Sequence, residues 1–278
     1  MSKKSLTVII PYKNQQLITI CAVDSLLGGL GSAWQLEVLL VNNRSSPGEV
    51  DAIAKKYRDD KRVSLLDYDK RFNFQKINNW AAKQASHDII LFLNNDTELV
   101  EGSEGLIERM YSKSRLAGVG AVGCVLLYGD EKHIQHGGVY LSNGGMAEHL
   151  YAKNSLRSLL RNNEEHRLKE DAPRTAVTAA CLMIEKTKFL AVEGFNEDFV
   201  IGGGDVDLCI RLNRAGYQTW CLGVGSSAVD YILHKESITR VGIKLPWSDY
   251  VQSYRSYIRG LDDKLVDPYI LSSEIEEN

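Results

Sequence analysis

The 278-residue chain has no run of eighteen apolar residues, no C-x-x-C pair, no internal repeat and no excess of one charge. Each absence removes a class of protein. Without a long apolar run, no segment is expected to span a bilayer. Five cysteines, an odd number, do not make a disulfide framework. Cys124, Cys181 and Cys209 stand inside apolar stretches and read as reduced core thiols of a cytoplasmic protein. With 33 basic and 36 acidic residues the net charge is −3, and the lysines and arginines are scattered, so no field exists to hold a nucleic-acid backbone. Met1-Ser2-Lys3-Lys4-Ser5-Leu6 leads straight into a strand-like run without the apolar stretch of a secretory signal. The expected location is therefore cytoplasmic, with peripheral attachment to the inner face of a membrane left open. A G-x-G-x-x-G after the first strand is also missing, which argues against a Rossmann oxidoreductase.

What is present is a core-forming composition, 44% hydrophobic, arranged in a strand and helix rhythm. Leu6–Pro11, Leu36–Val41, Val63–Leu66 and Asp88–Leu93 read as strands. Leu17–Leu30, Val50–Tyr57 and Ile77–Ala85 alternate with them as helices. Strands apolar on both faces and separated by helices predict a doubly wound, mostly parallel sheet covered on both sides. Further on, Glu104–Ser114 reads as a helix, Val119–Tyr128 and Gly137–Leu141 as strands, Asn143-Gly144-Gly145 as a turn, and 153–173 as a polar surface excursion. Thr175–Ile184 resumes regular structure, and 205–212 is a helix with acidic residues in its first turn, as the macrodipole favours. Trp247, Tyr250, Val251, Tyr254, Tyr257, Ile258 and Leu261 form a helical stripe expected to pack on the domain, with a membrane-surface contact or dimer seam as the alternative. The tail after it reads as frayed. The organisation expected is one domain over 1–240, with halves at 1–100 and 101–240, and an extension over 241–278.

Function is expected at the carboxyl ends of the strands, where ligands of such sheets sit. Three strands end in Pro11-Tyr12-Lys13-Asn14, Val41-Asn42-Asn43-Arg44 and Leu93-Asn94-Asn95-Asp96, converging on one rim. Asn94 and Asp96 fit two roles: they cap the next segment, or Asp96 offers a hard divalent cation its oxygen. In Gly202-Gly203-Gly204-Asp205-Val206-Asp207 the carboxylates fit plain helix capping, but three glycines suggest close approach by a ligand beside a general base. Asp205, nearest the loop, is the better base; Asp207 is placed to pair with Arg211 at i+4. His234 alone reads as structural, and becomes a ligand only beside a carboxylate such as Asp96. Cys181 has no base next to it and reads as core.

The stretches VIIPYKN, LEVLLVNNRS, FNFQKINNWAAKQA, ILFLNNDTEL, VGAVGCVLLYGDEKHIQHGGVYL, TAVTAACLMI, GFNEDF, GGDVDLCIRLNRAGYQTW and LHKESITR occur in that order over residues 6–240. The ordered set resembles the family 2 glycosyltransferases, in particular the bacterial O-antigen and rhamnosyltransferase-like branch. The resemblance implies a GT-A fold, with a nucleotide-binding half joined to an acceptor-binding half. It places Pro11, Tyr12, Lys13, Asn14 and Asn43 around base and ribose, with Asn79, Asn94 and Asn95 lining the nucleotide site. By the same resemblance Asp96 and His234 hold Mn2+ or Mg2+, and Asp205 is the catalytic base. His136, Thr178, Ala180, Gly203 and Gly204 fall near donor sugar or acceptor.

The chain departs from the family's pattern at several of these positions. Amides stand at Asn42, Asn43 and Asn94 where carboxylates are usual. Lys13 stands at an aromatic base-stacking position, and Gly204 where an acidic residue commonly precedes the base. The resemblance implies a metal-dependent inverting hexosyltransferase. Its donor would be a UDP- or dTDP-sugar, dTDP-rhamnose among the candidates, and its acceptor a glycan or lipid-linked glycan. The amide substitutions motivate the alternative of a catalytically weak relative that binds sugar or nucleotide.

Overall fold

A computed structural model describes residues 3–142, 147–161, 168–226, 228–235 and 245–256, with the backbone of 257 and 258. The chain begins β1 (Lys4–Tyr12), α1 (Gln16–Gly29), β2 (Trp34–Asn42), α2 (Pro47–Tyr57), β3 (Val63–Asp67), α3 (Phe74–Gln84) and β4 (Ile89–Leu93). Then come β5 (Thr97–Leu99), α4 (Glu104–Ser114), β6 (Val119–Cys124), β7 (Leu126–Tyr128), β8 (Ile134–His136), β9 (Val139–Leu141), β10 (Ala147–His149) and α5 (Leu156–Leu159). The last part holds β11 (Ala172–Arg174), β12 (Cys181–Glu185), α6 (Lys186–Ala191), α7 (Gly204–Arg214), β13 (Gln218–Leu222), β14 (Ile232–His234) and α8 (Trp247–Ser253), which continues as a π-helical turn, Tyr254–Ile258.

Eight strands form one sheet in the order β11-β13-β6-β12-β4-β1-β2-β3. β1 pairs in parallel with both β2 and β4, and β2 with β3. β12 enters antiparallel between β4 and β6. The expected mostly parallel sheet is thus present with antiparallel insertions. Burial on both faces explains the unbroken apolar run of β4. Leu91 and Leu93 pack with Val23 and Leu26 of α1 and Ile107 of α4, whereas Ile90 and Phe92 pack with Ile77 of α3, Phe189 of α6 and Leu208 of α7. Local chemistry favours the covering helices: α2 starts on Pro47 with Glu49 in its first turn and ends near Lys55 and Lys56. Asn73 caps α3 by accepting the Lys76 N–H at 2.8 Å.

Several boundaries differ from the sequence reading. The 119–128 run is two strands, because the chain leaves the large sheet after β6 and enters a second sheet of order β5-β14-β7-β8. Gly123 marks that exit: a Cβ there would lie 2.6 Å from Val177 Cβ. The regular structure expected from Thr175 begins only at Cys181, and 175–180 passes along the strand ends as a loop. Within 153–173 the described residues supply the short α5 and the edge strand β11, antiparallel to β13. The 143–145 turn, the side chains of 257–261 and the tail lie outside the described residues.

The C-terminal stripe is corrected. Trp247, Tyr250 and Tyr254 are 79%, 46% and 56% exposed, and Asp249 is the residue of α8 that turns inward, at 1%. The polar side chain is the buried one because three backbone N–H groups of a neighbouring loop receive it. Among the described residues no helix is long and apolar enough to cross a membrane.

On the face covered by α3, α6 and α7, Phe92 makes ring contacts at 5.1 Å to Phe189 and 4.9 Å to Phe195. Phe92→Ala is expected to lower unfolding stability by about 3–5 kcal/mol, read from urea denaturation; a loss below about 1 kcal/mol would contradict this packing.

Candidate active site

The carboxyl ends of β1, β2 and β4 border a cleft of about 430 Å³, lined by Pro11, Tyr12 and Lys13 from the first, Asn43 from the second, and Asn94, Asn95 and Asp96 from the third. Asn43 is buried and donates both amide hydrogens inward, to the carbonyls of Tyr68 and Lys70 at 2.9 Å each. A carboxylate could not make those two bonds; the amide does, and still leaves Oδ1 as an acceptor. Asn42 uses its amide similarly, donating to Asp67 and accepting the Ser45 N–H. The amides that depart from the family's pattern after β2 therefore knit loops together.

Asn14 is not in this cleft. Its backbone N–H donates to Ser45 Oγ and its Oδ1 accepts the Ser46 N–H, so it clasps the β1 and β2 loops. Gln15, left-handed at φ 56°, faces the cleft instead. Among the described residues Gln15 Oε1 and the Tyr12 hydroxyl are buried without a hydrogen-bond partner, both in this cleft. Buried polar atoms without partners are costly, so these two are the atoms of the cleft-lining residues whose hydrogen-bonding capacity the fold leaves unused. Burial, with the Asp67 charge adding, pushes the Tyr12 hydroxyl pKa up to about 12. It stays a donor at neutral pH. Asn95 donates to Thr19 Oγ1 at 3.0 Å while lining the same cleft. Asn79 does not line it: its amide is committed to Phe195 N–H and carbonyl and to Glu197. Phe72, 41% exposed, places an aromatic ring on the wall of the same cleft as Lys13.

Asp96 and His234 meet although 138 positions separate them in the chain. β14 pairs antiparallel with β5, aligning His234 with Thr97, and the Lys235 N–H donates to the Asp96 carbonyl at 2.8 Å. Asp96 Oδ1 then lies 3.2 Å from His234 Nε2, with both side chains buried. Gln135 Oε1 accepts from His234 Nδ1 at 2.6 Å. That bond orients the ring so that Nε2 faces Asp96 and the Asn94 amide, 3.2 Å away. An imidazole whose other nitrogen is held by a neighbouring acceptor is in the usual state of a metal ligand. Gln135 was not singled out from the sequence, because only the fold puts it behind His234.

A second cleft of about 550 Å³ adjoins the first, and Phe74, Asn94 and Ile201 line both. It holds Asp205, Thr178, Ala180 and Gly203 together, along with His149 and Tyr250. Asp205 is half-buried at the start of α7; Oδ2 accepts the Ala179 N–H at 3.0 Å and Oδ1 the Val206 N–H at 2.9 Å. Asp207 pairs with Arg211 at 2.8 Å, as its i+4 spacing predicts. His136 is fully buried behind the cleft and reaches it through His149, the two Nδ1 atoms being 2.9 Å apart. Burial first, then the neighbouring His149 and His234, pull the His136 pKa well below the ordinary range, so it is neutral at pH 7. Cys181 packs against Cys124, sulfur to sulfur at 3.8 Å, with both buried.

The three glycines before Asp205 leave room for the protein itself. A Cβ on Gly202 would meet Leu245 at 2.9 Å, one on Gly203 would meet Phe199 at 2.9 Å, and one on Gly204 would meet the Gln75 amide at 2.5 Å. Gly203 also adopts φ 88°, a region that disfavours a side chain. Gln75 is 2% exposed, lines the cleft, and among the described residues its Oε1 has no partner. Its amide occupies the space that an acidic side chain at 204 would need.

The fold is GT-A. It superposes on a GalNAc-T7 structure with UDP, GalNAc and Mn2+ at a TM-score of 0.65 and 12% identity, covering 91% of this chain and 48% of that one. It superposes on S. aureus TarS 1-349 in complex with UDP-GlcNAc at 0.60 and 14%, covering 90% and 64%. The mannosyltransferase PcManGT from Pyrobaculum calidifontis, with GDP-Man and Mn2+, matches at 0.56 and 14%, covering 91% and 70%. The sequence model of Glycosyl transferase family 2 matches residues 7–168, and the chain belongs to that family. It is 36% identical over 266 residues to the O-antigen biosynthesis protein RfbC of Myxococcus xanthus, covering 95% of this chain and 20% of that one. It is 32% identical over 218 residues to the uncharacterized protein y4gI of Sinorhizobium fredii, covering 76% and 23%. The chain thus spans about a fifth of the length of these relatives.

The contact at Gly204 gives a direct check. Gly204→Ala is expected to destabilise by about 1–3 kcal/mol through overpacking against Gln75, and adding Gln75→Ala should return part of that loss. Strict additivity of the two in denaturant titrations would contradict the contact.

Proposed function

We propose that the protein transfers a sugar from a nucleoside-diphosphate donor, a UDP- or dTDP-sugar, to a hydroxyl of a growing bacterial surface glycan, with inversion. The carrying observation is the pair of adjoining clefts: Asp96 lines the first and His234 the second, 3.2 Å apart across their boundary, Asp205 fronts the second, and Asn94 and Ile201 line both. In this reading the first cleft takes the nucleotide. The Tyr12 hydroxyl and Gln15 Oε1 take polar partners from it, Asn43 Oδ1 accepts a base N–H, and the Phe72 ring stacks on the base. That RfbC is named for O-antigen biosynthesis supports the choice of acceptor class.

The donor set also fits a hard divalent cation. Asp96 and His234 offer one oxygen and one nitrogen, both buried, and Gln135 fixes the ring. Among the described residues no group of three or more His, Cys, Asp or Glu is placed for a metal, so the remaining positions fall to donor phosphates and water. A cation held by Asp96 and His234 would supply neutralisation of the charge developing on the diphosphate. The neighbours solved with Mn2+ agree with this choice of ion.

The chemistry then belongs to Asp205. Its carboxylate, oriented by the Ala179 and Val206 N–H groups, accepts the proton of the acceptor hydroxyl as that oxygen attacks the anomeric carbon from the face opposite the diphosphate. One displacement inverts the carbon, and no covalent intermediate forms on the enzyme. Thr178, Ala180 and Gly203 line the same cleft and bound the space in which the acceptor hydroxyl meets the base.

Asp205→Asn is expected to abolish transfer and leave nucleotide binding intact; full activity in that variant would sink the base assignment. Thermal-shift screening of UDP, dTDP and GDP with and without manganese identifies the nucleotide, and the reading expects UDP or dTDP to stabilise the protein, more so with metal. Gln135→Leu is expected to weaken manganese affinity about 10–100-fold in titration calorimetry with that nucleotide present; an unchanged affinity would remove Gln135 from the site.

A further inference from the structure

Asp249 lies in α8, past residues 7–168 that match the family and past the last stretch that resembles it. It is 1% exposed and its carboxylate accepts three successive backbone N–H groups from the loop before α7. Val200 donates to Oδ1 at 2.8 Å, Ile201 to Oδ2 at 2.8 Å and Gly202 to Oδ2 at 3.1 Å. The Ser248 hydroxyl adds a contact to Oδ1 at 3.3 Å. A carboxylate tolerates such burial only when hydrogen bonds replace its water, and three N–H donors aimed at it do so. They also fix the backbone that carries them.

That backbone leads directly to the base. Ile201 walls both clefts, Gly202 and Gly203 line the second, and α7 opens on Gly204 and Asp205. The glycines let the C-terminal segment close on the loop: Leu245 occupies the Cβ space of Gly202, and Ser253 Oγ comes within 3.1 Å of that of Gly203. Just upstream on the same loop, Asn73 Nδ2 donates to the carbonyls of Glu197 and Phe199 at 3.0 Å each, so 197–202 is tied by two side chains.

We propose that Asp249 is the positioning residue of the catalytic base. It stands in the wall of the second cleft, but at 1% exposure its carboxylate is spent on the backbone, and it sets residues 200–202 so that α7 presents Asp205 to that cleft. The proposal rests on the reading of Asp205 as base. An asparagine at 249 keeps one acceptor oxygen and turns an N–H₂ toward N–H donors, so at least one of the three bonds is lost. A base displaced by the order of an ångström costs about 100-fold in rate.

The test uses the full chain, manganese, the nucleotide identified by thermal shift, and hydrolysis of the corresponding nucleotide-sugar, with water as acceptor. Asp249→Asn is expected to lower kcat about 100-fold while nucleotide Kd stays near the wild-type value. Asp205→Asn/Asp249→Asn should be no slower than Asp205→Asn alone, because the two act as one unit. A folded Asp249→Asn variant with wild-type kcat, or one whose loss lies wholly in nucleotide affinity, overturns the proposal and leaves the base reading standing. Wild-type activity in Asp205→Asn overturns the base reading itself, and the proposal with it. Hydrogen exchange on the wild-type protein reads the clamp without any variant. The amides of 200–202 should be protected like those of β4; exchange at the rate of an exposed loop would overturn the clamp.

Discussion

The register of β4 between β1 and β12 is the constraint on which the rest of the site depends. Val8 aligns with Leu91 and Ile9 with Phe92 on one side, and Cys181 with Leu93 on the other. Because both faces of β4 are buried, a slip by one residue would exchange the side chains that meet the two helical layers. The position of Asp96, three residues past the end of the strand, is therefore set by packing rather than by its own interactions. The carbonyl of Asp96 then receives Lys235 and draws β14 alongside, which delivers His234. The partner loop is tied in as well, since the Asn94 N–H donates to the Ala180 carbonyl at 3.0 Å.

A second principle is the use of amides at the rim, at Asn42, Asn43 and Asn94. Asn42 and Asn43 both donate hydrogens that a carboxylate does not have, holding the loops after β2 and β3. Asn94 places its amide against His234 Nε2. Fewer negative charges around Asp96 lower the repulsion that a diphosphate would meet there. A further amide, that of Gln75, fills the space beside Gly204, next to Asp205. Each of these amides therefore has a contact of its own within the fold, Asn42 and Asn43 with the loops after β2 and β3 and Asn94 with His234.

The first hundred residues were legible because periodicity speaks for itself: apolar strands of five to nine residues alternate with helices whose caps and charged turns are local. Asp96, His234 and Asp205 were legible as motif positions, and the fold brings each to the two clefts. What could not be read were residues whose meaning is tertiary. Gln135, Gln75 and Asp249 carry no motif, and each acts through a partner 99, 129 or 47 to 49 positions away, respectively His234, Gly204 and the 200–202 backbone. Asn14 and Asn79 look like cleft residues in sequence because neighbours on the same turn or helix face the cleft; their amides are used by adjoining loops. The aromatic stripe of α8 failed as a core prediction because hydrophobicity alone ranks Trp247 above Asp249, and three backbone donors reverse that order.

The central claim is that the strand rim delivers Asp96 and His234 as a paired ligand set next to the cleft that holds Asp205. Anomalous scattering from a crystal grown with manganese and the nucleotide that stabilises the protein tests it most directly. The account predicts a manganese peak in contact with both the Asp96 carboxylate and His234 Nε2, with nucleotide phosphate on the same ion. Nucleotide bound in the first cleft with manganese held elsewhere, or with neither residue touching it, would contradict the account.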